Sequence, residues 1–164
     1  MDDQSRAARV VAVDTGAVTL SPDERVEARA VVVATDGPSA AVLLPQVVAP
    51  ASRGVTCLSF AADAADVGPV LLLDGDVTGP VVSACVVSSV VPAYAPPEAT
   101  RVSATVLGVP AQDDAALEAS VREQLTTWFG TRAGSWRHLR TERIPDALPA
   151  LDPPALNPAD RAVR

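Results

Sequence analysis

His138 is the only imidazole in the chain and so the only side chain that could serve as a histidine general base. With a serine and an acid it could complete a nucleophilic triad, but no G-x-S-x-G turn lifts a serine out of a strand-to-helix elbow. His138 is therefore read as a partly exposed structural residue. Asp74, Gly75 and Asp76 resemble the opening of a calcium loop, in which alternating carboxylates surround a hard cation. The twelfth position of that loop, where a glutamate is required, is Cys85, and Pro80 interrupts the run, so a plain turn is expected. Cys57 and Cys85 stand 28 residues apart in apolar runs with no C-x-x-C spacing and no adjacent histidine, the pattern of reduced packing residues. Asp63 and Asp66 are read as loop solvation.

The 13 basic residues are all arginine, so lysine Schiff-base chemistry is excluded. Neither a G-x-G-x-x-G nor a G-x-x-x-x-G-K-[ST] phosphate cradle occurs. A net charge of -7 and an aromatic content of 3% argue against a nucleic-acid partner, which needs positive charge and stacking platforms. The N-terminal MDDQSRAARV has acids where a secretion signal needs bases, and the uncharged stretch from Val77 to Pro97 is broken by four prolines. A cytoplasmic protein with no transmembrane segment is expected.

The elements that must position any chemistry are legible in stretches. With 164 residues and 48% hydrophobic content the chain can bury a core. RVVAVD and AVTL read as strands joined by Thr15 and Gly16. After the SPDE turn, ARAVVVAT reads as a third strand, central, parallel to a neighbour and buried on both faces, because Ala30 to Ala34 are all apolar. Asp36 can cap a short helix ending before Pro45. GVTCLSFAAD, PVLLLDG, PVVSACVVSSVV and TRVSATVLG read as further strands, pairing antiparallel. In the last, Val102, Ala104 and Val106 alternate with Ser103, Thr105 and Leu107. The spacing predicts a helix from Asp113 to Phe129, closed by Gly130, with Leu117, Val121, Leu125 and Trp128 on the sheet-facing side. SWRHLRTERIP reads as an edge strand or the wall of a polar pocket. The expected class is α+β.

The order of these segments resembles FAD-dependent amine oxidase-type flavoproteins. RVVAVDTGAVTLSPDERVEARAVVVATDGPSAAVLLP is similar to the stretch in which a strand near the cofactor's adenine end is followed by a hairpin and a strand ending in a small-Thr motif. The matching positions are Val10 and the Ala34, Thr35 and Asp36 turn. The remainder, through WRHLRTERIPDALP, resembles the substrate region of phytoene desaturase-like and protoporphyrinogen oxidase-like members, in which a sheet covers the flavin face. The resemblance implies a part of an α/β FAD-binding domain over residues 1–45, a mixed, largely antiparallel substrate-domain sheet with a covering helix over 46–150, and a Pro-rich tail over 151–164. It implies Val10, Ala34, Thr35 and Asp36 as cofactor contacts, and Trp136, Ile144, Pro145 and Leu148 as walls of a pocket for an apolar small-molecule substrate. No catalytic acid or base and no metal ligand is implied.

The family's glycine-rich turn and its C-terminal Gly-Asp segment are absent from these 164 residues. The chain is therefore expected to be the middle segment of an oxidoreductase that removes hydride from its substrate. FAD is expected in the intact member and not tightly on this chain alone. Partners are then a complementary chain, or further copies associating through an exposed apolar patch. Two other readings stand beside this one: a small α+β binding module for an apolar ligand or protein, and an inactive fragment.

Overall fold

The computed structural model describes residues 8–63 and 67–150. The chain divides into two units, residues 8–52 with 149–150, and residues 53–148. The tail expected over 151–164, and Asp66, lie outside the described residues. The class is α+β, built on two antiparallel sheets.

In the first unit β1 (Val10–Asp14), β2 (Ala17–Leu20) and β3 (Glu24–Glu27) form a meander. Gly16 turns β1 into β2 at a φ of +83°, where a side chain would be strained. Asp36 caps α1 (Gly37–Leu43), as its position before Pro38 suggests: its carboxylate accepts the Ser39 N–H at 2.8 Å.

The third strand is not the one expected. β3 is the charged ERVE, and residues 28–35 run on without a strand partner among the described residues. The tight turn pairs Leu20 with Glu24 and therefore Ala17 with Glu27, so the four residues of β2 are used up before the apolar run begins. Val31 and Val33 are half-buried, while Val32 is 86% exposed. A run apolar on both faces needs cover on both, and the described elements supply part of one.

The second unit is a sheet in the order β5-β6-β7-β4-β8, made of β4 (Ser52–Ala62), β5 (Leu71–Leu73), β6 (Val81–Val86), β7 (Thr100–Leu107) and β8 (Arg137–Pro149). The charged β8 is thus an edge strand. α2 (Val87–Val90) and a 3-10 turn at Pro92–Tyr94 replace the expected continuation of β6. Ser88 Oγ accepts the Arg101 N–H and Ser89 Oγ donates to the Val67 carbonyl, satisfying backbone groups that a longer ladder would have engaged.

α3 (Asp114–Phe129) covers one face of the sheet. Asp113 caps it through the Ala116 N–H, and Gly130 ends it at a φ of +78°. Leu117, Val121 and Leu125 are buried against Leu58, Phe60, Val81, Val102 and Val106, and Trp128 packs half-buried beside them. Glu118 and Arg122 pair one turn apart, and the Arg122 guanidinium lies 5.3 Å from the centre of the Phe60 ring.

Candidate functional site

In the first unit, Val10 and Thr35 come together. With Arg9, Ser39, Val42 and Leu43 they line a concavity of about 290 Å³. Strand β1 supplies Val10, and the extended segment entering α1 supplies Thr35. Ala34 is exposed and Asp36 faces the helix end: its carboxylate takes both the Ser39 N–H and the Ser39 hydroxyl, each at 2.8 Å. Those bonds hold the Asp36 carboxyl below its ordinary pKa. The first turn of α1 therefore already carries a negative charge.

In the second unit, the sheet face opposite α3 carries short side chains at its centre, with Leu71 and Leu73 on the β5 edge. The register sets Leu71, Cys85, Ser103 and Ser59 abreast across four strands, with Leu73, Ser83, Thr105 and Cys57 in the next row. Both cysteines are free thiols and half-buried. They lie in different rows with β7 between them, and burial pushes the Cys85 thiol up in pKa. Arg101 reaches across to Ser59 Oγ at 3.4 Å.

Trp136 is 5% exposed and held between aromatic rings, Phe129 edge-on at 5.1 Å and Phe60 at 6.5 Å. It borders a cavity of about 190 Å³ with Ala61, Ala62, Asp63, Ala99, Ser135 and Arg137. Ile144, Pro145 and Leu148 are exposed along β8 and do not line that cavity. Their stretch does impose one constraint: a Cβ on Gly54 would lie 3.2 Å from the Pro145 carbonyl oxygen and 2.9 Å from Val109. β4 can approach β8 there only as glycine.

The His138 ring lies tilted 5.5 Å from Phe60, with Nε2 3.0 Å from Thr141 Oγ1. The Asp74 loop is a turn: Asp74 accepts the N–H groups of Asp76 and Thr78, and among the described residues no group of three His, Cys, Asp or Glu could hold a metal. The residue that sequence reasoning missed is Gln124. It is buried on α3, accepts the Val81 N–H at 2.7 Å and donates to the Val81 carbonyl at 2.9 Å and to Asp74 at 2.8 Å. Its signal was a polar residue falling on the apolar stripe, seven after Leu117 and three after Val121.

No protein-family model matches the sequence, and no curated protein matches it. Solved structures do. The chain is similar to an oxidoreductase from Methanosarcina mazei, at TM-score 0.59 and 17% identity, over 87% of this chain and 37% of that one. It is similar to a protein assigned as a protoporphyrinogen oxidase from Exiguobacterium sp. 255-15, at TM-score 0.55 and 16% identity, over 88% and 35%. It is also similar to a reduced UDP-galactopyranose mutase, at TM-score 0.62 and 12% identity, over 86% and 34%. The chain spans about a third of the length of these structures, and at such identities the likeness is one of fold. No helix among the described residues is long and apolar enough to cross a membrane.

Proposed function

We propose that this chain is the middle segment of an FAD-dependent oxidoreductase of the amine oxidase type, acting in the cytoplasm. The observation that carries the reading is the fold likeness, which runs through nearly the whole chain while covering about a third of an oxidoreductase and of two other enzymes.

The residues present fit one end of the cofactor. The concavity holding Val10 and Thr35 offers apolar walls and hydroxyls suited to an adenine and its ribose. The pyrophosphate finds no counterpart: Asp36 occupies the first turn of α1, and the chain has no glycine-rich turn to present N–H groups to phosphate. Val10 and Thr35 would thus contact the adenosine end, with Ala34 and Asp36 shaping its approach. A bound flavin would supply the hydride chemistry. This chain's part is to position substrate and exclude water, with the sheet face opposite α3 as a wall.

The unpaired Arg29 to Thr35 segment supports the need for a complement. Its backbone, carrying apolar side chains, has no strand neighbour among the described residues, and a polypeptide carrying the glycine-rich βαβ half would provide one. The test is co-expression with such a polypeptide that also bears the Gly-Asp segment. Retention of visible flavin absorbance through purification supports the reading. A colourless complex would favour the alternative, an apolar-ligand or protein-binding module built on the open sheet face.

A further inference from the structure

The small cavity beside Trp136 has features that the flavoprotein reading does not use. It is lined by Ala61 and Ala62 from the end of β4, by Ala99 and by Trp136, whose indole packs against Phe60 and Phe129. A buried indole N–H ordinarily finds an acceptor. Trp136 is nine-tenths buried, yet its N–H donates to no acceptor among the described residues. Trp136 borders the cavity, and no fully buried side-chain nitrogen or oxygen among the described residues is left without a partner.

Two opposite charges line the same cavity. Arg137 and Asp63 are exposed, form no ion pair with each other within 4.0 Å, and have no other charged partner among the described residues. Ser135 turns its hydroxyl proton to the Arg132 carbonyl, leaving its oxygen free to accept. An arginine and an aspartate, with an indole and small alanines bordering about 190 Å³, suit a small ligand that carries both charges. A cavity of roughly 150 Å³ already admits a benzene-sized molecule, so volume is no obstacle.

We propose that this cavity binds a small zwitterion of the α-amino-acid type, its carboxylate on the Arg137 guanidinium and the Trp136 N–H, its ammonium on the Asp63 carboxylate. A simple anion would meet Asp63 and a simple cation would meet Arg137, so each singly charged analogue gains one contact and suffers one repulsion. At about 190 Å³ the cavity suits the smallest side groups, hydrogen or methyl.

The site lies within the second unit and needs no flavin, so its test is independent of the oxidoreductase reading. Saturation-transfer NMR titrations of the purified full chain with glycine, alanine, acetate and methylammonium read it directly. Glycine and alanine should saturate, with acetate and methylammonium about tenfold weaker or more, the scale of one lost charge-assisted hydrogen bond. Asp63→Asn and Arg137→Gln should each weaken alanine binding about tenfold, and Trp136→Phe should weaken it while keeping the ring, provided circular dichroism and melting temperature match the parent. Acetate binding as tightly as alanine, saturation that survives Arg137→Gln, or no saturable transfer from any of the four probes would each overturn the proposal.

Discussion

Gln124 completes strand β6 from a helix: its side-chain amide accepts the Val81 N–H and donates to the Val81 carbonyl, as a neighbouring strand would. The same nitrogen donates to Asp74 Oδ2 and so ties the β5-β6 turn to α3. Replacing Gln124 with leucine keeps the volume and leaves the Val81 groups unpaired in a buried setting. At about 1 to 3 kcal/mol for each such group, Gln124→Leu should cost about 2 to 6 kcal/mol in urea unfolding. A loss within about half a kcal/mol, the range of ordinary surface changes, would show that water replaces the amide.

Gly79 exists where it does because of Gln124. A Cβ there would clash with Gln124 Oε1 and stand 2.7 Å from Cδ, on a side chain that four hydrogen bonds hold in place. Gly79→Ala should therefore destabilise the parent. In a Gln124→Ala background the same change should be nearly silent, a coupling of about 0.5 to 3 kcal/mol in a double-mutant cycle. Simple additivity would mean that the amide swings aside without loss.

The face of α3 against the sheet is core. Leu125 is 1% exposed, and Leu125→Ala should cost about 2 to 5 kcal/mol. Val32, at 86% exposed, is the control, and Val32→Ala should stay within about half a kcal/mol on the isolated chain. Equal losses at the two positions would contradict the placement of the core.

Acid should loosen the N-terminus of α1. The Ser39 N–H, then the Ser39 hydroxyl, lower the Asp36 carboxyl below its ordinary value of 3.8. A carboxylate whose folded pKa is depressed contributes its stabilisation in full above the unfolded value and loses it as pH falls through the folded one. Asp36→Asn keeps the capping oxygen and removes the titration, so its urea midpoint should fall less steeply below pH 3.8 than the parent's. Parallel acid limbs would show that the cap carries no titrating charge.

The unpaired apolar segment gives a local readout. Among the described residues no strand pairs with residues 28–35, so the amides of Val31, Val32 and Val33 should exchange rapidly in the isolated chain. Binding of a complementary βαβ polypeptide should protect them. Exchange that stays fast in a formed complex would place the contact elsewhere.

Much of this structure was legible because local signals agreed with the global fold. Asp113 and Gly130 bracketed α3, and the alternation of Val102, Ala104 and Val106 with Ser103 and Thr105 predicted which face of β7 is buried. The apolar run Ala30 to Ala34 misled because it encodes an environment that the described elements do not supply, while turn geometry spent the pairing on Glu24–Glu27. The end of PVVSACVVSSVV misled because β-branched composition masks the helical turn that Ser88, Ser89 and Pro92 stabilise. At the candidate sites, Val10 and Thr35 do meet in one concavity, whereas Trp136 is brought to a cavity without Ile144, Pro145 or Leu148. Sequence order placed all four in one stretch, but Ile144, Pro145 and Leu148 run exposed along the edge strand β8 while Trp136, just before it, is buried. Gln124 and Gly79 were invisible because their pairing spans 45 residues of sequence.

The central claim is that this chain holds only the adenosine end of a flavin site. Equilibrium titration of the purified 164-residue chain with FAD, followed by visible absorbance after removal of free cofactor, tests it most directly. With a net charge of -7, Asp36 on the first turn of α1 and no glycine-rich phosphate turn, the chain should stay colourless. Stoichiometric flavin retained by the chain alone would contradict the account.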